Sequence, residues 1–323
     1  MSEISVGSAV GAGFQLIARR PLSVLTWGLL RVGFVVGVIA VYAPTLLSMF
    51  ADIAHDAQTS SGGQPPPAEV TKIMSHMFLL QGVGLLVQIV GLFVNSIIYC
   101  AAARAVVHPE RRAFASLRLG APEFFVAILS FAAGFVIVFA LVIVMIPFAI
   151  AITLLAGNHQ YIPAGIVGGL AILVLLLGAI YIAARFAFVL PMMVDDGSFH
   201  LFDAWSLTKG KIGGIIVVGF CLMLIGLVLG LVLEAIFIGL GAAALGFAAG
   251  GFNNLQAFFT QTPPQQIITA LAPSLILLAL LLIPVQGAAL AIFVAPWARA
   301  YRDVVPTSPV ATPAAAPPLA AVH

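Results

Sequence analysis

Six long apolar stretches alternate along the chain with short segments that hold most of the charged residues. The stretches are Leu22–Phe50, Met74–Val106, Glu123–Ala156, Ile162–Met193, Ile212–Ala249 and Gln266–Ala300. Each is longer than the ~20 residues with which a helix crosses the ~30 Å hydrocarbon layer of a bilayer. The pattern therefore predicts an all-α fold, a polytopic transmembrane helical bundle of six spans.

The composition indicates a single membrane domain. Hydrophobic residues make up 62% of the 323 residues, charged residues make up 7%, and the mean hydropathy is +1.19. Six spans with their connections occupy residues 1–303, so we expect one domain over this range. Residues 304–323 are rich in Pro and Ala without periodicity, and this tail is expected to be disordered.

The basic residues predict the orientation of the spans. Eleven of the 13 Lys and Arg residues flank the same ends of the spans, with Lys72 on the opposite side and Arg31 inside the first span. Basic residues accumulate on the cytoplasmic side of membrane proteins, so both termini are expected there. Arg exceeds Lys, and Ala, Val and Gly are abundant, which is typical of a GC-rich bacterial genome. We therefore expect a multi-pass protein of the bacterial inner membrane.

Short amphipathic segments precede the odd-numbered spans. They are Val6–Ala18, Arg112–Leu119 and Phe199–Thr208. An apolar stripe at the spacing of one helix face is formed by Val6, Val10, Phe14 and Ile17. We predict three short helices along the cytoplasmic interface, each followed by a hairpin of two spans. The alternatives are that these helices pack against the bundle, and that the repeat is a chance similarity of Ala- and Arg-rich segments.

Polar residues inside the spans are the candidates for a functional site. Arg31 lies about 14 Å into the first span, close to the middle of the bilayer, where a charge is costly. Gln81, Gln88 and Asn95 are spaced by seven in the second span and therefore share one helix face. They predict a polar seam with Arg31, in which Gln88 is its preferred neighbour. The seam is either a hydrated path for a solute or hydrogen bonding that fastens the helices.

Glycines and prolines predict close helix contacts and a connection. Gly33–Gly37 and Gly226–Gly230 are GxxxG pairs, which permit close helix approach in membranes. Asp52–Lys72 contains three consecutive prolines among Ser, Gly and Gln residues, which is typical of a mobile connection.

Sequence motifs for catalytic, cofactor or metal sites are absent. The patterns GxSxG, GK[ST] and HExxH do not occur, and the six His residues are not spaced for metal binding. Asp195 and Asp196 could bind a cation together with Asp203, or cap the following helix, and capping is the favoured interpretation. We therefore expect no enzyme activity, no cofactor and no metal.

The connection between the fourth and fifth spans carries a resemblance to a known family. It reads RFAFVLPMMVDDGSFHLFDAWSLTKGKIGGII from Arg185. The positions that carry the resemblance are Arg185, Phe186, Pro191, Asp196, Gly197, Ala204, Ser206, Lys209 and Gly210. This pattern resembles a bacterial six-span membrane family related to the membrane domain of glycerophosphoryl diester phosphodiesterases. The resemblance implies an α-helical inner-membrane protein without the phosphodiesterase chemistry, which in such fusions belongs to a separate soluble barrel.

Three functions are considered, of which an intramembrane enzyme is the least favoured because no catalytic motif occurs. The first is a non-enzymatic membrane module that assists a partner or organises envelope lipid, indicated by the amphipathic segments and the lack of catalytic motifs. The alternative is a transporter or channel for a small or lipid-like solute, indicated by the predicted seam. The expected partners are membrane lipids, with another membrane protein as a further candidate, and no feature indicates nucleic-acid binding.

Reporter fusions test the predicted topology. A reporter placed after Gly63 or after Phe252 should behave as periplasmic, and one after Arg112 as cytoplasmic, because the basic residues set the orientation. Enzyme reporters that are active on one side of the membrane only provide the measurement. The opposite outcome at any two of these sites would overturn the topology.

Overall fold

The computed structural model describes residues 4–59, 67–110, 114–199, 201–255, 257–258 and 262–305. Its helices are α1 (Val6–Arg19), α2 (Pro21–Thr59), α3 (Pro67–Val107), α4 (Ala121–Gly157), α5 (Tyr161–Phe186), α6 (Val189–Asp196), α7 (Leu201–Leu207), α8 (Ile212–Ala248) and α9 (Pro264–Val304). Two short 3-10 turns lie at Phe114–Ser116 and Phe252–Asn254. The structure is 89% helical and its described residues contain no strand, which confirms the all-α prediction.

Six spans form the bundle, as predicted. They are provided by α2, α3, α4, α5 continued by α6, α8 and α9, each with an apolar part long enough to cross a membrane. Consecutive spans pack as hairpins, since α2 contacts α3, α4 contacts α5 and α8 contacts α9. Contacts of α3 with α4, of α5 with α8, and of α9 with both α2 and α3 join the hairpins. The chain is therefore an integral membrane protein.

Buried side chains concentrate at one end of the bundle, where α1, α6, α7 and the connection between α3 and α4 lie. We call this the basic end, because it carries Arg20, Arg104, Arg118, Arg185 and Arg302. Trp27, Phe188 and Met193 are completely buried there. In contrast, α4 buries residues only in its first two turns, and its most apolar part buries none. The remainder of the spans presents apolar side chains outward, as expected for helices surrounded by hydrocarbon.

The fourth span is interrupted, which the sequence analysis missed. Ile162–Met193 was expected as one helix, but α5 ends at Phe186 and α6 begins at Val189. Pro191 favours the break, because in a continuous helix its ring would clash with the carbonyl group of Ala187, although Pro44 and Pro147 lie inside continuous helices. The separated α6 contacts α3, α4 and α9 and fills the basic end of the bundle.

Two of the three predicted surface helices are present. Helix α1 covers the first segment and α7 lies within the third. Phe14, on the predicted apolar stripe of α1, is 51% exposed. The buried residues of α1 are Ala9, Ala12, Gly13 and Leu16. Gly13 lets α1 pack closely on α9, since a methyl group on Gly13 would lie 2.6 Å from the Cα atom of Ile292.

The predicted middle helix, Arg112–Leu119, is wrong for the residues that the structure describes. Residues 111–113 lie outside the described ranges, Phe114–Ser116 is a 3-10 turn, and residues 117–119 are not helical. Ala115 and Ser116 have φ angles of 49° and 54°, which a right-handed helix cannot contain. The second hairpin therefore lacks the entry helix that the proposed repeat requires.

The backbones of α2 and α9 touch at two glycines. A methyl group on Gly28 would lie 1.9 Å from the carbonyl oxygen of Ile283, and one on Gly287 would lie 2.0 Å from that of Val24. No Cβ atom fits at such distances, so both positions require glycine. The crossing brings α9 to the centre of the basic end.

The predicted GxxxG pairs do not form this crossing. Methyl groups on Gly33 and Gly37 would meet nothing within 4 Å, so this pair makes no close contact among the described residues. In the other pair only Gly226 is close to a neighbour, the ring of Phe293 at 2.8 Å, and Gly230 is open. The GxxxG spacing did not identify Gly28 or Gly287, because it relates glycines of one helix and these two lie on different helices.

Residues 60–66 of the predicted mobile connection Asp52–Lys72 lie outside the described ranges, and the described residues on either side of them are helical. Helix α2 continues to Thr59 and α3 begins at Pro67, a residue whose fixed φ angle suits the first turn of a helix. The predicted tail falls mostly outside the described residues, which end at Val305, and α9 extends to Val304.

Substitution of Gly28 should destabilise the bundle. We expect Gly28→Ala to cost ~1–3 kcal/mol or more in the free energy of unfolding, because the added methyl group overpacks the crossing. Gly33→Ala is the matched control on the same helix, and it should be neutral or stabilising by up to ~1 kcal/mol. Thermal unfolding in detergent measures both. Equal melting temperatures for the two variants would contradict the crossing.

Candidate functional site

The four residues of the predicted polar seam are not joined by hydrogen bonds. Arg31 and Asn95 are half-buried, and Gln81 and Gln88 are exposed. Within the described ranges, none of these side chains forms a hydrogen bond or an ion pair. No hydrogen bond joins Arg31 to Gln88 among the described residues, and their proximity stays a prediction.

The packing of α2 on α3 explains the separation. The ring of Phe34 and the hydroxyl group of Tyr42 lie against two glycines of α3, since methyl groups on Gly91 and Gly84 would come within 3.1 and 2.9 Å of them. At about 100° per residue, Gln88 is displaced by about 40–60° around α3 from these glycines. The displacement puts Gln88 at the flank of the contact with α2, where α3 also borders α4.

Gln88 lines a groove between α3 and α4 with a cavity volume of about 250 Å³. The groove is lined by Gln88, Leu92, Ser130, Phe131, Gly134, Phe135 and Val138. It opens to the side of the bundle, because Phe135 and Val138 are 69% and 63% exposed. The Ser130 hydroxyl group donates a hydrogen bond to the Val126 carbonyl at 2.7 Å. Gln88 is therefore the polar group of the groove that has no partner in the described part of the chain.

A buried ion pair joins α3 to α4 at the basic end. Arg104 and Glu123 are only 8% and 2% exposed, and an Arg104 Nη2 group donates to Glu123 Oε1. The Nη1 group donates to the Ser116 carbonyl at 2.8 Å. The sequence analysis used Arg104 only for orientation and missed this pair. The sequence did contain a signal for this pair. Glu123 stands at the start of the third span, and Arg104 stands near the end of the span before it.

The same contacts hold a strained loop. Positive φ angles at non-glycine residues cost ~1–3 kcal/mol each and persist only where the surroundings enforce them. Trp27 Nε1 donates to the Ala115 carbonyl at 2.8 Å, and Arg104 donates to that of Ser116. Arg20 adds hydrogen bonds to the Pro109 carbonyl and to Ser116 Oγ. The loop is thereby fixed to both α2 and α3.

A second polar cluster connects the ends of α3, α6 and α9. The Tyr301 hydroxyl group donates to Asp195 Oδ2 at 3.0 Å, and His108 Nε2 lies 3.4 Å from Asp195 Oδ1. Asp195 therefore serves tertiary packing. Asp196 accepts a hydrogen bond from the Ser198 backbone N–H at 3.1 Å, so its capping is local and precedes α7. Among the described residues no group of three or more His, Cys, Asp and Glu side chains could hold a metal ion.

The residues of the family-like pattern have structural roles. Gly197 and Gly210 adopt φ angles of 77° and 79°, which glycine accommodates without strain. Ala204 is completely buried, and the Ser206 hydroxyl group donates to the Asp203 carbonyl at 2.8 Å. Pro191 interrupts the fourth span, as described above. Arg185, Phe186 and Lys209 lie around α7, where the Phe186 and Trp205 rings are in contact with their centroids 5.6 Å apart and their planes inclined by 59°.

These clusters bind helix ends to each other. Most of their donors and acceptors are used by neighbouring helices, whereas Glu123 Oε2 and His108 Nε2 are buried without a hydrogen-bond partner among the described residues. Cys100 is completely buried and Cys221 is half-buried, both as free thiols. Two exposed places combine polar groups with a defined setting for a ligand. They are the groove with Gln88 and the surface around Arg185.

Breaking the buried ion pair should destabilise the protein strongly. Arg104→Gln should lower the free energy of unfolding by ~3–5 kcal/mol, because it leaves the Glu123 charge buried without its partner. Glu123→Gln should have a similar effect. The control is Arg118→Gln, an exposed arginine at the same end of the bundle. Thermal unfolding in detergent is the measurement, and equal losses for Arg104→Gln and Arg118→Gln would contradict the pair.

No protein-family model, curated protein or solved structure matches this chain. The resemblance of the Arg185 stretch to the six-span family therefore stays an expectation. Function has to be inferred from the groove and from the surface of the basic end.

Proposed function

We propose that this protein is a non-enzymatic module of the bacterial inner membrane that assists a membrane partner, and that the partner docks in the groove between α3 and α4. The observation that carries the proposal is the Gln88 amide, which is exposed in the groove and has no hydrogen-bond partner among the described residues.

An unpaired amide is unfavourable at the depth of Gln88. The apolar part of α3 begins at Met77, so Gln88 lies about 16 Å inside it, near the middle of a ~30 Å hydrocarbon layer. Transfer of an amide from water to a medium without hydrogen bonds costs ~4–8 kcal/mol. Water and lipid headgroups are remote at this depth. A polar group of another transmembrane helix is the partner that membrane proteins commonly use.

The opposite wall of the groove suits close helix approach. Ser130 and Gly134 lie four residues apart on α4, which is the small-xxx-small spacing found where membrane helices pack. A methyl group on Gly134 would meet nothing within 4 Å, so no described part of the chain occupies this surface. Small side chains beside an unpaired amide favour a helix as the occupant over a lipid acyl chain, which would leave Gln88 unpaired.

Transport is less well supported. The basic end is filled by α6, of which Val189, Pro191, Met193 and Val194 are buried. The groove opens sideways, and its volume of about 250 Å³ is below the ~300–1,000 Å³ of typical small-molecule sites.

We further infer that the basic end faces the cytoplasm, with both termini on that side. The bias of Lys and Arg supports this orientation. Phe14 and Phe202 are 51% and 81% exposed on the two surface helices, as expected for residues at a membrane interface. The family resemblance supports the same location.

Photocrosslinking tests the docking surface. With benzoylphenylalanine in place of Phe135, we expect a cross-link to another transmembrane polypeptide in native membranes. Gln88→Leu should weaken the association about 3- to 20-fold, because interhelical hydrogen bonds contribute ~0.6–1.7 kcal/mol. Mass spectrometry identifies the product and gel densitometry gives its yield.

Two controls distinguish docking in the groove from cross-linking at any exposed position of the spans. Benzoylphenylalanine at Phe220, 55% exposed on α8, should give no such product. Gln81→Leu removes an amide one heptad away, outside the groove, and should leave the yield unchanged. Lipid adducts alone at position 135, or equal yields for the two glutamine variants, would overturn the proposal.

A further inference from the structure

Arg185, near the end of α5, lies between the aromatic rings of Tyr181 on α5 and Trp205 on α7. Its guanidinium carbon lies 4.7 Å from the ring centroid of Trp205 and 5.3 Å from that of Tyr181. The Nε and Nη2 groups donate to the Tyr181 hydroxyl group at 3.2 and 3.1 Å, and Nη1 donates to the Trp205 carbonyl at 3.4 Å. These contacts position the guanidinium group, but all of its partners are neutral.

The charge of Arg185 has no counter-charge in the described part of the chain. No carboxylate of the described residues lies within 4.0 Å of it, whereas Arg104 pairs with Glu123 and Arg299 lies 3.4 Å from Asp303. A guanidinium group has five N–H donors, and the three contacts above use only three. Arg185 therefore keeps a full charge and two donors for a ligand.

Exposed aromatic side chains surround Arg185. Phe202 is 81% exposed, one helical turn before Trp205, and Tyr181 is 43% exposed on α5. Exposed aromatic side chains beside a cation are typical of the membrane interface, where rings reach the acyl region and charges reach the headgroups. Such a setting suits a guanidinium group at the depth of lipid phosphates.

Two lysines add positive charge to the same corner. The Thr208 hydroxyl group lies 3.4 Å from the Arg185 carbonyl oxygen, which fixes the turn after α7 to the end of α5. Lys209 is exposed and Lys211 is half-buried in this turn. Even with Asp203 of α7 counted, the corner has a net charge of +2.

We propose that this corner, formed by Arg185, Tyr181, Trp205, Lys209 and Lys211, binds the phosphate group of an anionic phospholipid in the adjacent leaflet. The planar guanidinium group with two free donors suits a phosphate, and the lysines add long-range attraction. An acidic protein would satisfy the charge as well, but the exposed Phe202 ring needs hydrocarbon beside it, which a lipid supplies. This site goes beyond the partner groove and does not depend on it.

Fluorescence quenching of Trp205 by brominated lipids tests the site. The full-length protein is placed in phosphatidylcholine vesicles with brominated phosphatidylglycerol or brominated phosphatidylcholine, and Trp205→Phe reports the signal of the other tryptophans. We expect stronger quenching of Trp205 by the anionic lipid. Arg185→Gln should reduce this preference about fivefold, the factor expected for one basic residue near an anionic surface.

The control variant is Arg118→Gln, which removes an exposed charge from the same end but touches no ring. Lys209→Gln serves as a second variant if Arg185→Gln lowers the melting temperature, and it should also reduce the preference. Equal quenching by both lipids, an equal loss for Arg118→Gln, or reversal by millimolar inorganic phosphate in place of lipid would overturn the proposal. Quenching that survives added phosphate and falls only in the corner variants supports it.

Discussion

The direct contact between the backbones of α2 and α9 is the constraint on which the basic end depends. Hydrocarbon solvates apolar side chains about as well as other side chains do, so helices in a membrane gain little from burying them and rely on close packing and polar contacts. Gly28 and Gly287 permit that packing, and Gly13 lets α1 approach α9 in the same way. As a result α9 contacts α1, α2, α3, α6 and α8. The other helix ends can then meet around it.

The polar contacts of the basic end follow from this arrangement. A buried charge is tolerated only with a partner, and Arg104 finds Glu123 because the end of α3 and the start of α4 lie side by side. The strained turn at Ala115 and Ser116 is the consequence, held by Trp27 of α2. Packing of α2 on α9 and pairing of α3 with α4 are therefore coupled through one loop.

The structure divides into a tightly packed end and apolar spans that are largely exposed beyond it. This division separates two kinds of surface. At mid-depth, an unpaired amide and small side chains form a groove between α3 and α4 that suits another helix. At the basic end, Arg185 sits between aromatic rings with its charge uncompensated by the described residues. The two proposals made above, lipid phosphate at the basic end and a helix in the groove, correspond to these two surfaces.

The sequence by itself determined the number of spans, the helical class and two of the surface helices, because span length and helix periodicity are local properties of the chain. Pro191 also carried a readable signal for the interruption of the fourth span. Only the tertiary structure decided that Gly28 meets Gly287, that Arg104 meets Glu123 and that Gln88 lines the groove between α3 and α4. These outcomes depend on how each helix is rotated about its axis. In spans that are apolar on nearly every face, the hydrophobic pattern gives no direction for that rotation, and only packing between the helices sets it.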